Sequence, residues 1–153
     1  MPTIVCERLV KAPPIVTFNS ARNVERYIAC SGNVESVRVL SDDGMTRITE
    51  WVANVPVLGR KLRWVEKDVW DSSSLSCSFE MIEGDMDSYS GEWRFESHEE
   101  GTLMRLIISY EYGVPLIGQL LHKVIGRLVE ANANSVLDAV KAASEGIRDG
   151  ADW

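Results

Sequence analysis

The chain has 153 residues, 45% of them hydrophobic and 25% charged, with a formal net charge of -7. This supports one folded domain with a sizeable core and excludes a disordered chain. The acidic balance disfavours phosphate backbones and anionic membrane surfaces, and no apolar run reaches the ~20 residues of a membrane span or has the form of a signal peptide. The expectation is a cytoplasmic protein with no nucleic-acid partner and no integral membrane contact.

Residues 3–11 (TIVCERLVK) alternate as a strand does. Ala12-Pro13-Pro14 breaks the alternation, and proline at a first helical turn predicts a short helix from Pro14 to Ala21. Asn23 offers an N-cap for a second short helix over Val24–Tyr27, which a turn at Ser31-Gly32-Asn33 closes. From residue 34 the period becomes two. Strands are predicted over 34–40, 45–53, 60–70, 75–83, 88–96 and 102–112. Turn-forming clusters separate them: Ser41-Asp42-Asp43-Gly44, Asp71-Ser72-Ser73-Ser74, Gly84-Asp85-Met86-Asp87 and Glu99-Glu100-Gly101.

After Pro115 a helical pattern runs from about Leu116 to Ala143 (roughly 117–144 as a predicted helix), ~40 Å at the standard rise. Leu121, Ile125, Leu128, Asn132, Val136 and Ala139 recur along one face. Residues 146–153 read as a frayed tail, leaving a single domain with its core at about 3–145. Short turns make neighbouring strands antiparallel. The expected class is therefore α+β: a curved antiparallel sheet of about seven strands wrapped around the long C-terminal helix, with two short helices after the first strand.

Three cysteines, Cys6, Cys30 and Cys77, have no paired spacing and read as reduced thiols. His98 and His122 lack a second ligand at metal spacing, so no metal site is expected.

Alternation assigns the faces. Leu75, Cys77, Phe79 and Met81 share one, as do Tyr89, Gly91, Trp93 and Phe95, and Met104, Leu106, Ile108 and Tyr110. Trp51 sides with Thr49 and Ala53. In residues 60–70, Leu62, Trp64 and Trp70 point inward, and parity takes Glu66 and Asp68 with them. Carboxyls in an apolar concavity must be paired, hydrated or protonated. They either lie near an open end or pair with a base such as Arg47, or they orient a ligand and move protons. Asn132 is likewise either a helix-to-sheet hydrogen bond or a polar ligand contact.

The candidate ligand-binding set is Tyr27, Trp51, Trp64, Phe79, Met81 and Trp93, with Leu106, Ile108, Leu121, Ile125, Leu128 and Asn132. The candidate catalytic groups are Glu66 and Asp68, with Tyr110, or Tyr27, as a hydrogen-bond donor. A ligand site of the usual kind would need a cavity of at least ~300 Å³.

The chain resembles the polyketide cyclase/dehydrase (aromatase/cyclase) branch of the START-like, helix-grip superfamily. The residues that carry the resemblance are NVERY (23–27), NVESVRVL (33–40), Trp64 with the closing VWD (69–71), IEGDMDSYSGEWRF (82–95), the Gly101-Thr102 strand start and YEYGVPLIG (110–118). It implies a hydrophobic small-molecule ligand, and an activity that folds and dehydrates a poly-β-ketone chain without a metal or organic cofactor. The rival function within the superfamily is non-catalytic carriage of a lipid, isoprenoid quinone or similar apolar metabolite. Characterised aromatase/cyclases usually place an arginine inward after the tryptophan. Here Asp68 holds about that position, and Arg63 and Lys67 face out. The partner expected is an apolar or aromatic small molecule, with a homodimer left open.

Overall fold

The computed structural model describes residues 2–26, 28, 34–56, 59–112 and 118–148, with the side chains of the last segment described over 123–146. In chain order the elements are β1 (Thr3–Val10), α1 (Pro14–Arg22), a 3-10 turn (Val24–Arg26), β2 (Val34–Asp42), β3 (Thr46–Val55), β4 (Arg60–Asp71), β5 (Ser76–Gly84), β6 (Ser88–His98), β7 (Gly101–Glu111) and α2 (Gly118–Arg148). The seven strands form one antiparallel sheet in the order β1-β7-β6-β5-β4-β3-β2. Every pair but β1–β7 joins consecutive strands, as hairpin turns dictate.

Three expectations need correction. The second short helix is a single 3-10 turn, because Asn23 ends α1 instead of starting a new helix. Its backbone N–H and its side-chain Nδ2 both donate to Asn19 O, at 3.2 and 2.8 Å. Leu75 lies outside β5, in a left-handed backbone conformation with φ 49° that closes the preceding turn. The tail prediction is overturned as far as Arg148, because tertiary contacts hold the last turns of α2. Ser144 is fully buried, and the Glu145 carboxylate accepts from Lys141 Nζ at 2.6 Å and from the Lys11 backbone N–H at 2.9 Å. Tyr27 and the turn at residues 31–33 lie outside the described residues.

Amphipathicity sets the packing. On α2, Ile125, Ala133, Val136, Leu137 and Val140 are buried while Lys123, Arg127, Glu130 and Asp138 are exposed. Its C-terminal half is tied to the β1 side by Lys141 Nζ donating to Leu9 O at 2.9 Å and by the Arg8–Asp138 ion pair at 2.8 Å. The far end of the concavity is closed by an aromatic cluster. Phe18 meets Trp70 and Phe95 edge-on at 5.6 Å each, and Trp93 stacks on Phe95 at 5.9 Å.

The β6–β7 hairpin runs against the segment after β1. Gly101 has φ 139°, and a Cβ there would stand 2.3 Å from Val10 O and 2.8 Å from Ala12 N. Thr102 Oγ1 donates to Ala12 O at 2.7 Å beside it. Gly101→Ala should therefore cost about 2 kcal/mol and lower the melting temperature by roughly 4–8 °C. An unchanged melting temperature would show that the hairpin yields freely.

Candidate functional site

β4 pairs with β3 without a break from Arg60 to Val69, so its parity is preserved. Leu62, Trp64, Glu66, Asp68 and Trp70 are all buried, and Arg63 is turned outward into an ion pair with Glu50 at 2.6 Å. The register shift in this region falls on β5 instead. Val65 pairs with Glu83 and Glu66 with Met81, which leaves Ile82 as the extra, exposed residue.

Glu66 and Asp68 are each 6% exposed and stand two residues apart on the inward face of β4. Two carboxyls buried so near each other resist being ionised together. Trp64 Nε1 donates to Glu66 Oε1 at 2.8 Å, and Thr49 Oγ1 donates to Asp68 Oδ2 at 2.7 Å. Thr49 in turn accepts from Trp51 Nε1 at 3.0 Å. Burial first, then the charge of Asp68, pushes Glu66 well above the usual carboxylate range. Burial also raises Asp68, against the hydrogen bonds from Glu66 and Thr49 and the charge of Arg47.

Arg47 sits opposite Asp68 across β3–β4 but does not bond it directly. Its guanidinium donates to Glu25 at 2.8 and 3.2 Å and to Arg22 O, and lies 3.2 Å from Asp42. Of the alternatives for these carboxyls, a direct pair with Arg47 is not the one formed: Glu66 and Asp68 take their donors from Trp64 and Thr49.

Between sheet and helix, the described residues enclose three small spaces. One of about 40 Å³, towards β3, Met86 and α2, is bordered by Leu62, Trp64, Tyr89, Ile125, Leu128 and Asn132, among others. A second of about 30 Å³ lies among Trp51, Trp64, Phe79, Trp93, Leu106 and Ile108. Glu66, Tyr89 and Asn132 also face it. The third, about 20 Å³, lies behind the carboxyl pair among Glu66, Asp68, Thr49, Arg47 and Glu25. Among the described residues the buried Asn132 Oδ1 has no hydrogen-bond partner, which favours a ligand contact over a helix-to-sheet bond.

The expected cavity of ~300 Å³ or more is therefore not open among the described residues. Two side chains absent from the candidate ligand-binding set occupy it. Tyr89 packs on Trp64 at 5.1 Å and on Phe79 at 5.7 Å, and Met86, from the β5–β6 turn, is buried at the wall. Tyr89 was readable from its parity with Trp93, but nothing in the sequence turns Met86 inward. A larger space of about 500 Å³ opens on the opposite face, near Lys67, Glu80 and Glu92. It is an open, polar surface groove away from the buried carboxyls.

Most of the expected ligand residues border the two inner spaces: Trp51, Trp64, Phe79, Trp93, Leu106, Ile108, Ile125, Leu128 and Asn132. Trp51 and Trp64 are stacked there at 6.0 Å. Met81 packs against the core without bordering these spaces. Tyr110 is buried towards Gly126 of α2, also away from them. Tyr27 and the side chain of Leu121 lie outside the described residues. The signal for Thr49 was weak, since threonine is an ordinary strand residue. Burial raises the thiols of Cys6 and Cys77, keeping both protonated. Among the described residues no group of three His, Cys, Asp or Glu could hold a metal, and no helix is long and apolar enough to cross a membrane.

A curved seven-stranded antiparallel sheet gripping one long C-terminal helix over a buried aromatic and carboxylic interior defines a helix-grip, START-like protein. Residues 10–137 match the family described as polyketide cyclase / dehydrase and lipid transport, and the chain belongs to that family. The crystal structure of TTHA0849 from Thermus thermophilus is similar at TM-score 0.86 and 32% identity, over 95% of this chain and 99% of that one. The Zhui aromatase/cyclase from Streptomyces sp. R1128 shares the fold at TM-score 0.81 and 18% identity, over 95% and 94% of the two chains. A STAR-related lipid transfer protein from Xanthomonas axonopodis shares it at 0.73 and 11%, over 94% and 85%. No curated protein matches the chain.

The raised Glu66 gives stability a definite pH dependence. Above the unfolded value of about 4.3 the folded chain holds more protons than the unfolded one, so this contribution is full below that value and is lost as pH rises through the folded value. Glu66→Gln keeps an acceptor for Trp64 and a donor for Asp68 but has no charge to bury. Thermal melts from pH 5 to 8 should show the variant gaining on the wild type as pH rises. A constant difference across that range would mean that Glu66 is not titrating.

Proposed function

We propose that the protein binds a hydrophobic, ring-forming small molecule between sheet and helix and acts on it as a polyketide cyclase or dehydratase. The observation that carries this reading is the adjacent, buried Glu66 and Asp68 carboxyls beside an aromatic interior. Burial raises both, so the pair holds a proton. In dehydration of a β-hydroxy ketone, the pair's proton goes to the leaving hydroxyl, the C–O bond breaks and water departs. The α-proton replaces it on the pair as the C=C bond forms, so the pair ends as it began and the step requires no metal or organic cofactor. Asn132 supplies a polar contact on the helix side, and Tyr27 stands as a further hydrogen-bond donor to a carbonyl. Because the described walls enclose little space, a ligand has to displace side chains at the wider end, Met86 and Leu128 among them. The cytoplasm is the proposed compartment.

A second reading is non-catalytic carriage of a lipid, isoprenoid quinone or apolar metabolite. One observation favours it. From Leu62 to Trp70 the inward row of β4 carries no basic group to polarise a carbonyl, and Arg47 is committed to Glu25 and Asp42.

Titration with a panel of aromatic polyketides, quinones and lipids should quench tryptophan fluorescence through Trp51 and Trp64, and no quenching by any of them would sink both readings. With a ligand in hand, Glu66→Gln and Asp68→Asn should retain binding and lose turnover by roughly 10²–10⁴-fold. Binding with no turnover in the wild type would select the carrier.

A further inference from the structure

The hydrogen bonds around the carboxyl pair have a direction, and the direction places the charge. An indole N–H donates and cannot accept, and a hydroxyl does both. With Trp51 Nε1 occupying the Thr49 oxygen at 3.0 Å, the Thr49 hydroxyl turns its own hydrogen to Asp68 Oδ2 at 2.7 Å. Asp68 is thereby treated as an acceptor on one oxygen. Glu66 Oε1 is taken by the Trp64 indole at 2.8 Å, so a proton on Glu66 belongs on the other oxygen.

The two carboxyls also differ in what they face. Glu66 borders the aromatic space and the polar one behind it, while Asp68 borders only the latter. We propose that Thr49 and Trp51 are positioning residues that fix the shared proton on Glu66, at the wall of the ligand space, and the negative charge on Asp68 behind it.

The surrounding groups agree with this placement. Arg47 on β3 lies on the Asp68 side, and Glu25 and Asp42 hold its guanidinium there without neutralising Asp68 by direct contact. Cys77 on β5 and Tyr89 on β6 face the pair as neutral groups, both raised first by burial and then by the two carboxylates. From α2 the group nearest the aromatic space is Asn132, which does not titrate. The inference rests on the proposed ligand site only for its use of Glu66 as the ligand-facing acid. The proton placement itself is a property of the ligand-free protein.

Infrared difference spectroscopy of the full, ligand-free chain across a pH titration reads the C=O stretch of a protonated carboxyl. The wild type should show one buried protonated carboxyl at neutral pH, absent in Glu66→Gln. Thr49→Val removes the donor to Asp68 at constant shape. The band should then broaden as the proton spreads over both carboxyls, and the pair's midpoint should rise by about one pH unit, the worth of one hydrogen bond to a charged group. Thr49→Ser should restore both. Trp51→Phe, which frees the hydroxyl to rotate, should move the midpoint in the same direction by less.

Persistence of the band in Glu66→Gln would put the proton on Asp68 and overturn the proposal. So would a wild-type band and midpoint in folded Thr49→Val, or, if that variant does not fold, in Trp51→Phe. A failed ligand panel would remove the functional reading and leave this result standing, so the two failures are distinguishable.

Discussion

Two carboxyls resist being ionised together in an interior this apolar, and the burial of Glu66 beside Asp68 is the constraint that the rest of β4 accommodates. β4 is central to the sheet's second half, paired with β3 on one side and β5 on the other. Its inward row also carries Leu62, Trp64 and Trp70, so it cannot turn its carboxyls to solvent without exposing two indoles. The indole and hydroxyl donors from Trp64 and Thr49 complete the accommodation.

The rest of the interior divides around that pair. On one side, Phe18, Trp70, Trp93 and Phe95 form a closed aromatic core under α1. On the other, Trp51, Trp64, Phe79 and Tyr89 pack on one another around small residual spaces. The anchored half of α2, tied to β1 by Lys141 and Arg8, lies towards its C-terminal end. The residues of α2 that border the spaces, among them Ile125, Leu128, Asn132 and Val136, precede that anchored stretch.

The family holds both cyclase/dehydrase and lipid-transport members in its description, and the fold serves either use. What separates them is the polar content of the concavity, not its architecture. In this chain that content is acidic, with the Arg47 guanidinium drawn off to Glu25 and Asp42.

The sequence by itself determined the strand order, the antiparallel pairing and the inward face of β4, because a period of two leaves no freedom once one residue of a strand is placed. Parity alone put Glu66 and Asp68 inside with Trp64. It also showed the amphipathic stripe of α2, whose spacing depends only on the helix itself. Tertiary structure decided the remainder. Whether Arg47 would pair with Asp68 depended on where the 3-10 turn delivers Glu25, a contact between residues 22 positions apart. The volume of the interior depended on Tyr89 and on Met86, whose burial follows from how the β5–β6 turn folds. The end of α2 depended on Lys11, far away in the chain. Thr49 carries no signal of its own, and its part in the site exists only because register sets it between Trp51 and Asp68. Periodicity is a local property and survives in the sequence; the partners of a buried polar group are chosen by the folded chain.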